Sequence, residues 1–111
     1  MTIRDGSIVR IDVVASGKAG RVGVVLRQVT LHGQAAALVA WGTPTLHAHL
    51  VHMVVEPEEP AGVALGLAVP TYFYAKNGWI GAVEMLHIAR APCPPYLLAA
   101  LRVLFGFASP G

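Results

Sequence analysis

Apolar residues recur at every second position near the start of the chain, before a glycine-rich segment. In residues 8–14 the apolar positions 9, 11 and 13 alternate with Arg10 and Asp12, and residues 21–31 form a second run rich in valine. A period of two sends one set of side chains into a core and the other into solvent, as in a half-buried β-strand. With residues 15–20 as the connecting loop, the pattern predicts an antiparallel hairpin.

Turn residues divide the next apolar stretch into two further strands. Residues 32–34 predict a turn, residues 35–41 a third strand and residues 50–55 a fourth strand. The segment Gly42–Thr45 is expected to end the third strand. The alanines of residues 35–41 leave a short helix as the alternative. Residues 56–60 are acidic and bounded by prolines, which predicts a surface loop.

An Asn-Gly dipeptide lies inside an aromatic run later in the chain. Residues 71–76 and 79–84 flank Asn77-Gly78, and asparagine followed by glycine supplies the positive φ angles of a type I′ turn. The segment is therefore predicted to be a hairpin, with a loop that ends in a single strand as the alternative. Its aromatic residues are expected in a core or an interface between copies rather than stacked on bases: Tyr72, Phe73, Tyr74 and Trp79.

The C-terminal segment has a helical period instead. A proline-rich entry precedes it, which a first helical turn tolerates, and Gly106 ends it. Its apolar residues share one helix face: Leu97, Leu98, Leu101, Leu104 and Phe105. Short strands followed by one amphipathic helix predict a single, mainly β domain over residues 1–111, in which a bent antiparallel sheet or barrel packs against the helix.

The low charge of the chain indicates a partner. Of its 111 residues, 55% are hydrophobic and 13% are charged, against roughly 25% charged in an average globular protein. A small domain with this composition is expected to expose an apolar patch, which predicts a homodimer or an obligate partner protein. The formal net charge is +2 without a long basic block, which permits contact with nucleic acid but does not require it.

The sequence also bears on location. Arg27 and Glu56 enclose a stretch without formal charge, but polar residues and Pro44 interrupt it, so no membrane span is predicted. The first residues lack the apolar core of a signal peptide, and a single cysteine, Cys93, fits a reducing compartment. We therefore expect a cytoplasmic protein in which Cys93 is an ordinary thiol.

Four motifs, taken in their order along the chain, resemble those of the PemK/MazF-like toxins, small SH3-like barrels of toxin–antitoxin systems. They are the strand start Gly6–Asp12, the loop Gly17–Val22, the segment Gly42–Thr45 and the segment Gly66–Thr71. This chain departs from the family at two positions: Val22 stands where the family has proline, and Pro44 stands within the segment that matches the family's Gly-Thr-Ser loop. The resemblance implies a small SH3-like antiparallel barrel with a C-terminal α-helix.

The resemblance also implies an activity. It points to a metal-independent endoribonuclease without a cofactor, which cleaves RNA through the RNA's own 2′-OH and which an antitoxin protein silences. The family's arginine corresponds to Arg21 and its hydroxyl residue to Thr43, with Thr45 as a substitute. A guanidinium stays protonated and offers planar donors to a phosphate, and a threonine hydroxyl donates to a phosphate oxygen. Three further basic residues are predicted contacts to the RNA backbone: Arg10, Lys18 and Arg27.

Each candidate also has an ordinary structural explanation, and two other functions stay open. Arginines at strand ends are often only solvated, and threonines in turns often bond nearby backbone. His47, His49 and His52 suggest a metal site, because positions 47 and 49 of a strand face the same side. Their spacing to Glu56 is too long for the first cupin motif, so solvated histidines are expected. The alternatives are a non-catalytic SH3-like barrel that acts as a protein-interaction module and a metal-binding, cupin-like protein.

Overall fold

A mainly β structure with a C-terminal helix confirms the predicted fold class. The computed structural model describes residues 3–11 and 21–107, so the predicted loop 15–20, which includes Lys18, lies outside the described residues. The elements, in chain order, are β1 (Ser7–Ile11), β2 (Val22–Leu31), β3 (Gln34–Thr43), β4 (His52–Val55), α1 (Pro60–Leu65), β5 (Thr71–Ala82), a 3-10 turn (Val83–Met85), β6 (Leu86–Pro92) and α2 (Pro95–Leu104).

The six strands of the described residues form one antiparallel sheet in the order β4-β5-β3-β2-β1-β6. The predicted pairing of the first two strands is confirmed, with Ile8 of β1 opposite Val24 of β2. A turn at His32 and Gly33 joins β2 to β3, and its φ angles of 51° and 77° are the positive values that a tight hairpin requires. Within the described ranges no pairing joins β4 to β6, so closure into a barrel stays a prediction.

The hairpin predicted at Asn77-Gly78 is wrong, because residues 71–82 form the single strand β5. Gly78 lies opposite Ala40 of β3, as an ordinary strand residue does. A Cβ at position 78 would lie 3.2 Å from Cε2 of the Phe105 ring, a tight contact that favours a small residue at this position of the strand. The local turn signal was therefore overridden by the pairing of β5 with its neighbours.

The register between β3 and β5 shifts within this strand. Ala40 pairs with Gly78 and Gly42 pairs with Phe73, so two residues along β3 correspond to five along β5. The extra residues form a bulge, which bends the strand. Beyond the bulge β5 pairs with β3 on one side and with β4 on the other, where Phe73 lies opposite Met53.

Other elements differ from the sequence prediction in their bounds. β3 is a strand throughout, which excludes the helical alternative, and it continues past Gly42 to Thr43. β4 begins two residues later than predicted, at His52. The strand β6 and the helix α1 are not predicted; α1 begins at Pro60, at the end of the acidic loop, and ends before Gly66, whose φ of 70° stops the helix.

Apolar side chains form two clusters, one on each face of the sheet. α1 and α2 cover the first cluster, in which Leu97 and Leu101 of the predicted helix are fully buried. Its strand residues include Ile8, Val24, Leu26, Ala40 and Phe73. The second cluster includes Val9, Ile11, Val25, Ala37 and Val39. Because successive residues of a strand point to opposite faces, the two clusters explain why neighbouring residues such as Ile8 and Val9, or Val24 and Val25, are both apolar.

A side-chain network satisfies the backbone at a bulge in β2. Val25 pairs with Val39 and Arg27 with Leu38, which leaves Leu26 as the extra residue on β2. The Leu26 carbonyl accepts two hydrogen bonds from Arg102 of α2, at 3.1 and 2.9 Å. Asp5 bonds Arg102 at 2.8 Å and accepts the Gln28 N–H at 3.0 Å. One ion pair therefore connects the first turn, the bulge and the C-terminal helix.

Replacing Arg102 by methionine is expected to destabilise the protein. Arg102→Met keeps an apolar stem but removes the donors to Leu26 and Asp5. Since the ion pair is partly exposed, we expect a loss of about 1–2 kcal/mol in the free energy of unfolding, measured by urea titration. Val103→Ala, at an exposed position of the same helix, is the control and is expected to change stability by about 0.5 kcal/mol or less. Equal midpoints for both variants would contradict the assignment.

Candidate functional site

Arg21 and Thr43 lie at the same end of the sheet. The last registered pair of the β2–β3 ladder at this end is Gly23 with Trp41, and Arg21 precedes it by two residues while Thr43 follows it by two. The guanidinium carbon of Arg21 lies 5.0 Å from the centroid of a Trp41 ring, a cation–π contact. The indole therefore holds the guanidinium at this end of the sheet. The arginine and the hydroxyl residue that the sequence predicts as a pair, Arg21 and Thr43, lie together there.

Aromatic side chains continue this surface across β5 to β4. Thr43 lies opposite Tyr72, and Tyr74 lies opposite His52. Directly paired residues of neighbouring strands project from the same face of a sheet, and this face is opposite to the one that carries Phe73 and the α2 cluster. We call it the aromatic face and define it by six residues: Arg21, Trp41, Thr43, Tyr72, Tyr74 and His52.

Tyr74 holds the β3–β4 loop over this face. Its hydroxyl donates to the Thr45 carbonyl at 2.6 Å and accepts the His47 N–H at 2.6 Å. The side chain is buried beneath the loop, whereas Thr45 and His47 are exposed. The His47 ring lies 5.8 Å from the Tyr74 ring, between centroids. One buried phenol therefore determines where the exposed loop residues lie.

The imidazole ring of His52 on the aromatic face has a defined orientation. Its Nδ1 lies 2.7 Å from the Leu50 carbonyl oxygen, and because a carbonyl only accepts, Nδ1 carries the hydrogen. In the neutral ring, Nε2 is then the atom with the free lone pair. The ring centroid lies 5.9 Å from that of Tyr72 and 5.6 Å from that of Tyr74. Sequence reasoning grouped His52 with solvated histidines, because the Leu50 contact arises only from the folded loop.

The two threonines have different environments. Thr43 is buried, and its hydroxyl oxygen accepts the Thr45 N–H at 3.3 Å. This is the bond to nearby backbone that is expected of a threonine in a turn. A hydroxyl that accepts one bond still has its own hydrogen to donate. Thr45 is exposed next to it. Of the two, Thr45 is therefore the one open to a solvent-borne ligand.

The predicted basic contacts do not gather around Arg21. Arg10 pairs with Val22, which belongs to the α2-covered cluster, so its side chain leaves the sheet on the face opposite to Arg21. Arg27 follows Arg21 by six residues, about 20 Å along an extended strand, and its guanidinium carbon lies 5.0 Å from the Phe107 ring centroid. Lys18 falls outside the described residues. Arg21 is thus the predicted cation that the structure brings to the aromatic face.

His47 and His49 do not lie in a strand, contrary to the premise of the metal interpretation. They belong to a turn, closed by a bond from the Leu50 N–H to the His47 carbonyl at 2.9 Å. Their ring centroids are 6.1 Å apart and the rings are nearly perpendicular, at 80°. In the part of the chain that the structure describes, no three histidine, cysteine, aspartate or glutamate side chains are grouped to hold a metal ion.

Two titratable groups with raised pKa values lie away from the aromatic face. Burial raises the pKa of the Cys93 thiol, which lies in the α2-covered cluster. Desolvation of its hydroxyl raises the pKa of Tyr96, and the Glu59 carboxylate adds to this. Tyr96 donates to Glu59 at 2.9 Å and accepts the Ala61 N–H at 2.8 Å, which joins α1 to α2. Both raised pKa values therefore have a structural explanation: Cys93 is a buried core thiol, and Tyr96 links the two helices.

Comparison with known proteins identifies no relative: no protein-family model, curated protein or solved structure matches this chain. The PemK/MazF-like resemblance therefore depends on its four motifs, and function must be argued from the geometry of the aromatic face. The helices of the described ranges include none that is long and apolar enough to cross a membrane.

Removing the Tyr74 hydroxyl is expected to release the β3–β4 loop. Tyr74→Phe loses the bonds to Thr45 and His47, which lowers the free energy of unfolding by about 1–2 kcal/mol. Hydrogen exchange of the His47 amide should accelerate more than that of amides in the β1–β2 ladder. Tyr72→Phe, which leaves the Tyr74 hydroxyl in place, is the control. An unchanged His47 exchange rate in Tyr74→Phe would refute the anchoring role.

Proposed function

We propose that this protein is a toxin-like endoribonuclease that binds single-stranded RNA on the aromatic face and cleaves it through the RNA's own 2′-OH, without a metal ion or cofactor. The observation that carries the proposal is the position of Arg21, held over Trp41 at the sheet end that also carries Thr43 and Tyr72. A fixed cation beside hydroxyl groups and aromatic rings matches the chemistry of a ribose phosphate and its bases.

The aromatic face suits a single strand better than a duplex. Unpaired bases stack on aromatic side chains, whereas an A-form duplex hides its base faces. Tyr72 is half-buried and Tyr74 is covered by the loop, so of these two rings that of Tyr72 is the one available to a nucleobase. Arg21 would contact the backbone phosphate, which accounts for affinity without a large net charge.

Cleavage follows from placing a phosphate between Arg21 and the threonine turn. The ribose 2′-oxygen attacks the adjacent phosphorus, the 2′-O–P bond forms and the P–O5′ bond breaks. The products are a 2′,3′-cyclic phosphate and a 5′-hydroxyl end; the 2′-OH loses its proton to a base and the departing 5′-oxygen takes one from water. Arg21 stabilises the charge that grows on the phosphate oxygens, and Thr45 or Thr43 donates a hydrogen bond to them.

The surroundings of the site support the proposed partners. Within the described residues β4 is an edge strand of the sheet, and exposed apolar side chains lie on or next to it: Val51 is 72% and Val54 39% exposed, and Leu46 in the preceding loop is 50% exposed. We propose that a second copy or an antitoxin protein covers this area in the cytoplasm. An acidic antitoxin segment that reaches Arg21 would occlude the phosphate site.

A second candidate, a non-catalytic protein-interaction module, is favoured by one observation. Thr43 is buried and bonded within its turn, so its hydroxyl has a structural role already. In that case the apolar edge of β4 would be the functional surface, and Arg21 would be dispensable. The metal-binding, cupin-like alternative is not supported by the arrangement of His47 and His49 in a turn.

Replacing Arg21 tests the proposal. The purified protein is incubated with a mixed-sequence RNA oligonucleotide in the presence of a chelator, and cleavage is followed by gel electrophoresis. Arg21→Ala is expected to lower kcat/KM about 10²–10³-fold, because the growing charge loses its main donor. Arg4→Ala, at an exposed arginine outside the aromatic face, is the control and should cleave normally.

The product ends and the substrate sugar provide a second criterion. Cleavage should leave a cyclic phosphate and should stop when every ribose is replaced by 2′-deoxyribose. Intact RNA with the wild-type protein, or equal cleavage by wild type and Arg21→Ala, would rule out the nuclease proposal and favour the interaction module.

A further inference from the structure

We propose that His52 is the general base of the proposed RNA cleavage, a role that rests on the proposed function. The inference comes from the tautomer of its ring and its place on the same face as Thr43 and Tyr72, and His52 is the one imidazole or carboxylate among the six described residues that define this face. It gives His52 a catalytic role that neither the histidine spacing nor the four motifs assign to it.

Cleavage through the 2′-OH requires a group that removes a proton near neutral pH. Arg21 remains protonated, and threonine hydroxyls do not act as bases in this range. The Tyr74 hydroxyl already donates to Thr45 and accepts from His47. An imidazole is the ordinary side chain for this task. On the aromatic face as defined above, His52 is the residue that provides one.

The contact between His52 and Leu50 prepares the ring as a base. Nδ1–H donates to the Leu50 carbonyl at 2.7 Å, so the Nε2 lone pair is free in the neutral ring. The same bond stabilises the imidazolium that forms when Nε2 takes a proton, since an imidazolium Nδ1 is still a donor. The rings of Tyr72 and Tyr74, both within 6 Å between centroids, limit its rotation.

The spacing of the sheet leaves room for a ribose phosphate between His52 and Arg21. β4, which carries His52, is separated from β2 by β5 and β3, which amounts to about 14 Å at the usual spacing of about 4.8 Å between strands, and His52 lies two residues, about 7 Å, along the strand from the level of Thr43. Two long side chains that project from one face, with a nucleotide between them, span such a distance. Thr43 and Tyr72 form the floor between the two groups.

The groups around His52 carry no negative charge in the contacts that the structure describes. Tyr72 and Tyr74 face it from β5, and His47, with His49 beside it, reaches the far side of Tyr74 from the loop. Lys76 lines a small cavity with Leu50 and Tyr74, of about 80 Å³. The ring contacts that the structure describes for His52 are therefore those with the two phenols.

The proton transfer completes the cleavage step. Nε2 of neutral His52 takes the 2′-hydroxyl proton as the 2′-oxygen bonds to phosphorus, and the P–O5′ bond breaks. Water supplies the proton that the 5′-oxygen gains, and the imidazolium returns its proton to solvent. No electron transfer or co-reactant besides water is needed.

The test compares His52→Gln with His32→Asn on the RNA substrate described above. His32 lies in the turn at the far end of the β2–β3 hairpin, where asparagine tolerates its positive φ. His52→Gln is expected to lower kcat about 10²–10⁴-fold with KM nearly unchanged, whereas His32→Asn should match wild type. If His52 is the base, the cleavage rate of wild type is expected to fall on acidification, and this fall should disappear in His52→Gln.

Chemical rescue separates a base from a structural residue. His52→Ala with added imidazole should recover part of the lost rate, and thermal unfolding of each variant shows whether it folds. RNA cleavage by wild type that persists unchanged in His52→Gln, or a failure of rescue in a folded His52→Ala, would overturn the assignment while leaving the nuclease intact. No cleavage by wild type would overturn both proposals.

Discussion

The shift in register between β3 and β5 is the constraint on which the site depends. Two residues of β3 are matched by five of β5, between the pairs Ala40–Gly78 and Gly42–Phe73. The bulge lets one long strand pair along β3 and then also hold β4 on its other side. Without it, Tyr72 and Tyr74 would not lie between Thr43 and His52. The aromatic face therefore depends on backbone pairing, because that pairing brings its side chains together.

A second irregularity stabilises the opposite face. The bulge at Leu26 breaks the β2–β3 ladder, and a carbonyl left without a ladder partner would be costly in an apolar environment. Arg102 bonds this carbonyl, and Asp5 binds both Arg102 and the Gln28 N–H. Because α2 supplies the arginine, the helix is held on the sheet by a directional contact as well as by burial of Leu97 and Leu101.

The same physical principle acts at the loop that covers the aromatic face. Tyr74 is buried, and its hydroxyl satisfies one carbonyl and one N–H of an otherwise exposed segment. His52 uses its Nδ1 in the same way on the Leu50 carbonyl. Polar atoms of ring side chains thus take the place of a regular ladder between Thr45 and Leu50, and one result is an imidazole with a defined tautomer.

Local patterns predicted the elements whose information is local. The strand at Val9 and Ile11, the turn at residues 32–34 and the leucine face of α2 needed only neighbouring residues, and all three agree with the structure. The prediction that this strand is only half-buried is wrong, because Ile8 is buried in the cluster on the other face. The turn predicted at Asn77-Gly78 is wrong, because Gly78 pairs with Ala40 of β3, a residue far away in the chain. The helix α1 was not predicted, because it begins at Pro60 and a proline is equally common in a loop.

By itself, the sequence determined a mainly β domain with a C-terminal helix. Its family resemblance also predicted Arg21, Thr43 and Thr45 as catalytic residues. Only the tertiary structure decided which of these groups share a face. Arg10 and Arg27 are close to Arg21 in the chain but leave the sheet on the other face or farther along it, whereas His52 joins Thr43 through Tyr72 and Tyr74. The reason is physical: side-chain direction in a strand follows from local alternation, but strand neighbours follow from pairing between distant residues.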